Sequence, residues 1–222
     1  MIKGKLIVFE GADGSGKTTQ AKLLLKFLQK GKIDSKYISF PRYKDSRWGQ
    51  MVGRYLAGDF GKVGDVDPYL ASLSYAGDRA SAASMIKKWL AAGKMVIVNR
   101  YIGSNMAHMA AKIKDEGSRI KYIKWLEKLE YEENGIPGED LVIFLHVPVD
   151  ISRKLIKDRK LDIHEEDLEY LAKVVKVYDF ICGLKKYWQK VECTKGGKIL
   201  PAEGIHQKVL EVLKNKNILR TK

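Results

Sequence analysis

Five short apolar or β-branched runs recur along the 222-residue chain, and longer segments with helical periodicity lie between them. Strands that are apolar on both faces and alternate with helices are typical of a parallel sheet that is covered on both sides. The runs are KLIVFE (5–10), KYISFP (36–41), KMVIVN (94–99), LVIFLHV (141–147) and YWQKVEC (187–193). The pattern therefore predicts an α/β fold: a doubly wound, parallel five-stranded sheet with helices on both faces.

The length of the chain favours one domain. A chain of 222 residues can bury one extensive core but is short for two, and the sequence contains no internal repeat or low-complexity linker. We therefore predict a single domain over residues 1–222. Ligands of doubly wound sheets bind at the carboxyl ends of the strands, so the residues that follow each run are the candidate site residues.

A glycine-rich loop directly follows the first run and directly precedes a helical segment that ends near Gly31. The loop satisfies the pattern G-x-x-x-x-G-K-[ST]. Its glycines allow backbone N–H groups to converge on phosphates, Lys17 can reach the outer phosphates, and the Thr18 hydroxyl can bind Mg²⁺. The alternative without a function is a glycine turn before an ordinary helix. The loop predicts an ATP-binding site formed by Gly11, Ala12, Asp13, Gly14, Ser15, Gly16, Lys17, Thr18 and Thr19.

The residues at the ends of the other strands indicate which class of phosphate-loop protein this chain belongs to. Motor ATPases and GTPases usually have an acid at the end of a second apolar strand, but MVIVN ends in Asn99 and LVIFLH ends in His146. Instead, Arg42 and Arg100 follow strand ends and Arg79 lies in a helical segment. Guanidinium groups bind phosphate with two parallel hydrogen bonds, so these arginines suit a second, accepting phosphate opposite the nucleoside triphosphate.

With these motifs the sequence resembles the thymidylate kinase family of P-loop nucleoside monophosphate kinases. The resemblance implies transfer of the γ-phosphoryl group of ATP to dTMP by direct in-line attack, with Mg²⁺ as cofactor and with a homodimer as the assembly. It covers most of the chain. The matching segments are FEGADGSGKTTQ (9–20), FPRY (40–43), LSYAGDRA (73–80), NRYIGSNMAH (99–108), LVIFLHVP (141–148) and RKLDIHEE (159–166).

The resemblance also implies roles in binding dTMP. The tetrapeptide Phe40, Pro41, Arg42 and Tyr43 would bring an arginine and a tyrosine to the monophosphate, although Tyr43 could instead be ordinary strand-end packing. The ring of Tyr75 would lie under the thymine with Arg79 at its O4, Ser104 and Asn105 would line the base pocket, and Arg100 would contact the acceptor phosphate. His108 stands where the family commonly has a tyrosine against the sugar, and a plain helix-face histidine is the alternative.

For catalysis, the resemblance places Asp13 toward the 3′-hydroxyl of the acceptor, away from the ATP phosphates. Asn99 replaces the usual aspartate, so the metal would depend on Thr18, with Asn99 and Glu165 or Glu166 assisting through water. A short mobile lid over about 152–163 would carry Arg153 and Arg159, which we expect to stabilise the transferring group together with Lys17 and Arg100. A solvated basic helix is the alternative for this segment.

Charge and cysteine content bear on the rival functions. The net charge of +14 would suit a nucleic-acid-binding protein that uses the loop as an anion anchor, but no basic stretch has the interleaved aromatics that single-strand binders use, so no nucleic acid partner is expected. A UMP- or CMP-type kinase is the nearer alternative.

Cys182 and Cys193 do not have the spacing of metal ligands or of a disulfide framework, so we predict free thiols in the cytoplasm. No apolar run is long enough to act as an export signal or to span a membrane.

Overall fold

The computed structural model of the chain describes residues 4–156, 162–165 and 167–219. Strands and helices alternate along it, as the periodicity predicts. The strands are β1 Lys5–Glu10, β2 Ser35–Ser39, β3 Met95–Asn99, β4 Leu141–His146, β5 Trp188–Glu192, β6 Thr194–Lys195 and β7 Lys198–Ile199. The helices are α1 Lys17–Lys30, α2 Arg47–Leu56, α3 Pro68–Ala91, α4 Ile102–Ala110, α5 Glu116–Glu127, a π-helix Lys128–Glu133, α6 Val149–Ile156, α7 Leu168–Leu184 and α8 Ala202–Asn215.

The main sheet has five strands in the order β2-β3-β1-β4-β5, and every neighbouring pair is parallel. The predicted five-stranded parallel sheet is therefore confirmed. Phe9 of β1 lies opposite Asn99 of β3, so the glycine loop that follows β1 and Arg100 that follows β3 emerge at the same edge of the sheet. This edge is where the fold class binds its ligands.

Two cores cover the two faces of the sheet. Successive side chains of a strand point to opposite faces, so Leu6 and Val8 join one core while Ile7 and Phe9 join the other. The first core packs the sheet against α3, α4, α5 and α7, and the second packs it against α1 and α8. Burial on both faces explains why the strands read as continuous apolar runs.

Four of the five predicted strands are one or two residues shorter in the structure than in the sequence pattern, and only the run 5–10 is matched in full. The run 36–41 forms a strand only over Ser35–Ser39, before Pro41, which has no N–H to donate to a neighbouring strand. The run 187–193 forms a strand over Trp188–Glu192. A small antiparallel hairpin of β6 and β7, which the pattern did not predict, follows β5.

Both cysteines are free, as predicted: Cys182 lies in α7 and Cys193 directly follows β5. In the described part of the chain, no helix combines the length and the apolar character needed to cross a bilayer.

Candidate active site

The glycine loop has the backbone of an anion cradle. A Cβ on Gly11, whose φ is 146°, would lie 2.6 Å from the carbonyl oxygen of Leu145. Gly16 adopts the left-handed region at φ 84° and precedes α1 without any side chain capping the helix. The first N–H groups of α1 are therefore available to a phosphate, which the helix dipole also favours.

Lys17 is the first residue of α1, and its side chain is 94% buried in the loop. Its Nζ donates a hydrogen bond of 2.7 Å to the carbonyl oxygen of Ala12. Burial and the neighbouring Arg100 lower the pKa of Lys17 to about 7, although Asp13 opposes them. The amine is therefore a titratable group in the physiological range, held next to the phosphate cradle.

Asp13 and Arg100 form an ion pair across the sheet edge. Nη2 of Arg100 donates to Oδ1 of Asp13, and Nη1 donates to the hydroxyl of Ser104 at 3.3 Å. Burial opposes ionisation of Asp13, but Arg100 and Lys17 outweigh it and hold the pKa of that carboxyl well below its usual range. Arg100 itself has a φ of 63°, a backbone region that costs a non-glycine residue energy and that is enriched at active sites.

Glu10, the last residue of β1, is a fully buried carboxylate that the sequence analysis did not select. Its Oε1 accepts from the backbone N–H groups of Tyr101 at 2.8 Å and Ser104 at 2.9 Å, and its Oε2 accepts from the Tyr178 hydroxyl at 3.2 Å. A carboxylate at a helix N-terminus is favourable. Glu10 therefore fixes the start of α4, which carries the predicted base-pocket residues.

A cavity of about 330 Å³ opens beside the Asp13–Arg100 pair. It is lined by most of the residues that the sequence analysis assigned to the acceptor and to the metal. Those that line it are Asp13, Phe40, Pro41, Tyr43, Tyr75, Arg79, Asn99, Arg100, Ser104, Asn105, His108 and Glu165. The structure therefore brings together residues from the loop, from the strand ends and from α3 and α4, as a nucleotide site at this edge requires.

Two polar residues, Arg79 and Asn105, line the cavity among apolar and aromatic side chains. Arg79 is 2% exposed and forms an ion pair with Glu130 of the π-helix. Asn105 donates through Nδ2 to the carbonyl oxygen of Ser72 at 3.4 Å, and its Oδ1 is buried without a partner in the described part of the chain. The cavity thus presents arginine N–H donors and an unsatisfied amide acceptor to a ligand.

His108 is not an exposed helix-face histidine, because its side chain is buried in this cavity wall. Its ring stacks on that of His164, with centroids 5.2 Å apart, and its Nε2 has no partner among the described residues. His164, which follows the lid segment, hydrogen-bonds the Tyr55 hydroxyl at 2.9 Å. Burial lowers the pKa of both histidines, that of His108 to about 3, so both rings are neutral at pH 7.

Replacing His108 with glutamine is expected to make the free energy of unfolding less sensitive to mild acid. The unfolded chain binds a proton on His108 near pH 6.5, whereas the folded protein takes it up only at about pH 3. The contribution of this residue to stability is therefore complete above pH 6.5 and decreases as the pH falls below that value. It should fall by about 2 kcal/mol between pH 7.5 and pH 5.

Urea unfolding of the wild type and of His108→Gln at both pH values measures this effect, with His146→Gln as the matched control. We expect the stability difference between wild type and His108→Gln to shift by about 2 kcal/mol. Parallel pH dependences of the two proteins would contradict the buried, neutral state of His108.

Comparison with known proteins agrees with this geometry. The family model described as thymidylate kinase matches residues 9–198. The chain belongs to the thymidylate kinase family. A solved structure of thymidylate kinase from Candida albicans superposes with a TM-score of 0.76 and 26% sequence identity, over 97% of this chain and 93% of that chain, and is described as having broad substrate specificity. Family membership makes the chain an ATP-dependent phosphotransferase of the nucleoside monophosphate kinase class.

Two of the residues predicted to hold the metal of this kinase, Thr18 and Asn99, are in contact. Nδ2 of Asn99 donates to the hydroxyls of Thr18 at 3.2 Å and Ser39 at 2.9 Å, while its Oδ1 is buried without a partner in the described part of the chain. Hydroxyl and amide oxygens are suitable ligands for Mg²⁺ or for its water shell. In the described ranges no cluster of three or more His, Cys, Asp or Glu side chains could hold a metal by itself.

Two predicted cationic residues of this kinase, Arg42 for the acceptor phosphate and Arg153 for the transferring group, do not line the cavity. Arg42 turns away from it: Nε donates to Oδ1 of Asp78 at 3.0 Å, and Nη2 donates to the carbonyl oxygen of the same residue at 3.0 Å. The buried carboxylate of Asp78 is the physical reason. Arg153 of α6 donates to the carbonyl oxygen of Glu165. Arg159 and Glu166 lie outside the described residues.

Proposed function

We propose that this chain is a thymidylate kinase that transfers the γ-phosphoryl group of ATP to dTMP, giving ADP and dTDP. The observation that carries the proposal is one cavity lined both by groups that suit a base and by groups that suit a phosphate. We assign the base to the part lined by Arg79 and Asn105, the base end, and the acceptor phosphate to the part lined by the Arg100–Asp13 ion pair, the phosphate end.

The base end matches a thymine ring. An arginine donor suits the O4 oxygen, and the unpartnered Oδ1 of Asn105 suits the N3–H donor beside it. Tyr75 supplies an aromatic wall for the ring. Cytosine would present an amino group to Arg79 and a bare nitrogen to Oδ1, leaving buried groups unsatisfied. This pattern favours dTMP over a CMP-type acceptor.

The phosphate end suits direct in-line transfer. Lys17 and the α1 amides would bind the donor phosphates, Arg100 would bind the acceptor phosphate, and Asp13 would orient the acceptor sugar. We assign the neutralisation of the transferring group to Arg153 and Arg159 of the lid segment as well. Mg²⁺, held through Thr18 and Asn99 with Glu165 near its water shell, would neutralise charge on the donor phosphates. We therefore expect no phosphoenzyme intermediate.

A coupled assay of ADP formation tests the proposal. We expect ATP turnover that depends on dTMP, lower turnover with dUMP, and little with UMP, dCMP or dGMP. Rapid quench with γ-labelled ATP should give labelled dTDP and no labelled protein. Preference for a purine acceptor would overturn the assignment of Arg79 and Asn105, whereas salt-sensitive DNA or RNA binding without turnover would favour the nucleic-acid alternative.

We further propose that the kinase is a cytoplasmic homodimer. The amphipathic segment 122–131 is an unsuitable interface, because Tyr122 and Leu126 are fully buried in the core. Exposed apolar side chains lie instead on α2 and α3, where Trp48 is 50% and Leu70 65% exposed, and they would suit a second copy of the chain. The free thiols are compatible with a reducing compartment.

A further inference from the structure

Behind the base end of the cavity, Arg79 of α3 forms a buried ion pair with Glu130 of the π-helix. Oε1 of Glu130 accepts hydrogen bonds from Nε of Arg79 at 2.8 Å and from its Nη2. Glu130 is fully buried, and Arg79 is 2% exposed. Arg79 also lines the cavity, so the pair connects the interior of the protein to the wall that would meet a base.

The hydrogen bonds of Arg79 fix the orientation of its guanidinium group. Of the five N–H groups that a guanidinium carries, Oε1 of Glu130 takes one on Nε and one on Nη2. The carbonyl oxygen of Tyr101 takes one on Nη1 at 3.3 Å. One N–H on each terminal nitrogen therefore remains for a ligand in the cavity, in a plane that Glu130 and Tyr101 determine.

The backbone that carries Glu130 has an unusual form. Residues Lys128–Glu133 form a π-helix, and of these six residues Glu130 alone is buried. Such wide turns are rare and occur frequently at functional sites. The wide turn alters the helical spacing that follows α5, and it directs one of the three acidic residues of KLEYEE into the core.

A contribution to stability alone does not explain the Arg79–Glu130 ion pair well. Burying an ion pair costs desolvation energy, and apolar replacements of similar volume are often as stable. Moreover, Oε2 of Glu130 is buried without a partner in the described part of the chain, so the carboxylate is not fully satisfied by its surroundings. A residue kept under these conditions is better explained by what it does to Arg79.

We propose that Glu130 is the positioning residue for base recognition, holding Arg79 so that its free N–H groups meet a ring carbonyl oxygen. The inference rests on the proposed function and deepens it, because it names the residue that makes this cavity selective for a base with a carbonyl group at that position. Glu130 acts through Arg79 and does not contact the substrate.

The selectivity follows from the fixed orientation. A guanidinium held in place donates to a carbonyl oxygen but faces the amino group of cytosine donor to donor, so dCMP leaves buried N–H groups unpaired. A guanidinium released from Glu130 can turn away from the amino group, which removes that penalty. Loss of Glu130 should therefore weaken dTMP binding and reduce discrimination against dCMP together.

The test is Glu130→Gln, with Glu127→Gln as the matched control. Glu127 lies one turn earlier and pairs with Lys185 rather than with a cavity residue. For Glu130→Gln we expect the KM for dTMP to rise about tenfold and the ratio of kcat/KM for dTMP to that for dCMP to fall about tenfold. The KM for ATP should stay within about twofold, and the control should match the wild type.

The dependence on Arg79 separates positioning from folding. In an Arg79→Met background, adding Glu130→Met should change neither the KM for dTMP nor the base preference, and the doubly apolar pair should fold because both charges are gone. This second pair of variants decides the question if Glu130→Gln alone does not fold. A further loss on adding Glu130→Met, or an unchanged base preference in Glu130→Gln, would overturn the proposal.

The two proposals fail in different ways. If the wild type does not phosphorylate dTMP, the proposed function fails. If the wild type phosphorylates dTMP with a clear preference over dCMP, and Glu130→Gln keeps that preference, the proposed function stands and the role of Glu130 is wrong.

Discussion

Replacing Lys17 with methionine is expected to lower kcat/KM for phosphoryl transfer about 10³-fold, the scale on which preorganised charge acts in active sites. Lys17 is buried beside the phosphate cradle, and its Nζ lies 2.7 Å from the Ala12 carbonyl oxygen. Methionine has a similar length and suits the buried position but carries no charge. The control is Lys26→Met. It makes the same substitution in α1, and so the same change in helix propensity, but at an exposed residue.

The pKa of Lys17 gives this prediction a second readout. Burial first, and Arg100 next, lower the pKa to about 7 in the nucleotide-free protein. The negative charge of bound nucleotide phosphates favours the charged amine and raises that pKa, so the wild type should take up a proton on binding ADP at pH 8. Affinity should consequently fall as the pH rises above 7.

Calorimetry of ADP binding in two buffers of different ionisation enthalpy measures this proton. We expect an uptake that approaches one proton in the wild type at pH 8 and is lost in Lys17→Arg, whose guanidinium stays charged. Equal uptake in the two proteins would show that another group titrates, and retained turnover in Lys17→Met would remove Lys17 from the mechanism.

The sheet and the phosphate loop were predictable because their signals are local. Burial on both faces makes a strand read as one apolar run, so the five runs predicted the five strands of the main sheet. The glycine loop requires specific residue types over a few consecutive positions. The family motifs extended the prediction to residues that line the cavity.

The supporting residues were not predictable, because their partners are distant in sequence. Glu130 lies 51 residues from Arg79, and Glu10 lies 94 residues from Ser104. Only tertiary packing brings these groups together, and a buried glutamate in a stretch of acids has no local signature. The acid that ends an otherwise apolar strand directly before the loop was the one available signal for Glu10.

The direction of the Arg42 side chain was also not predictable from the sequence. The motif FPRY predicts an arginine at the acceptor phosphate, but the sequence contains no sign that Asp78, one residue before Arg79, would take its guanidinium. Charge-assisted hydrogen bonds to a buried carboxylate outweigh exposure to an open cleft. Residue type and spacing identified the phosphate-loop and α4 residues, whereas competition between partners determined where this side chain points.

Replacing Arg100 with alanine is the second large effect that we expect, a loss of about 10²-fold to 10³-fold in kcat/KM for dTMP. Arg100 combines a left-handed backbone at φ 63° with an ion pair to Asp13, so it is held at the strand end where the acceptor phosphate would lie. Most of the loss should appear as a raised KM for dTMP, with the KM for ATP changed less. Arg100→Lys keeps the charge but not the paired hydrogen bonds, and should recover part of the activity.

Because Arg100 forms an ion pair with Asp13, Arg100→Ala can lower activity either through the lost phosphate contact or through lost stability, and the two effects have to be measured separately. Removing Arg100 leaves Asp13 partly buried without its cation, which costs up to about 3 kcal/mol of stability. Adding Asp13→Asn to Arg100→Ala removes the unpaired charge and should restore most of that stability. It should not restore activity, because neither the cation for the phosphate nor the carboxylate for the sugar is then present. A double variant that regained both would mean that Arg100 serves the fold alone, whereas regained stability without turnover assigns it to the acceptor phosphate.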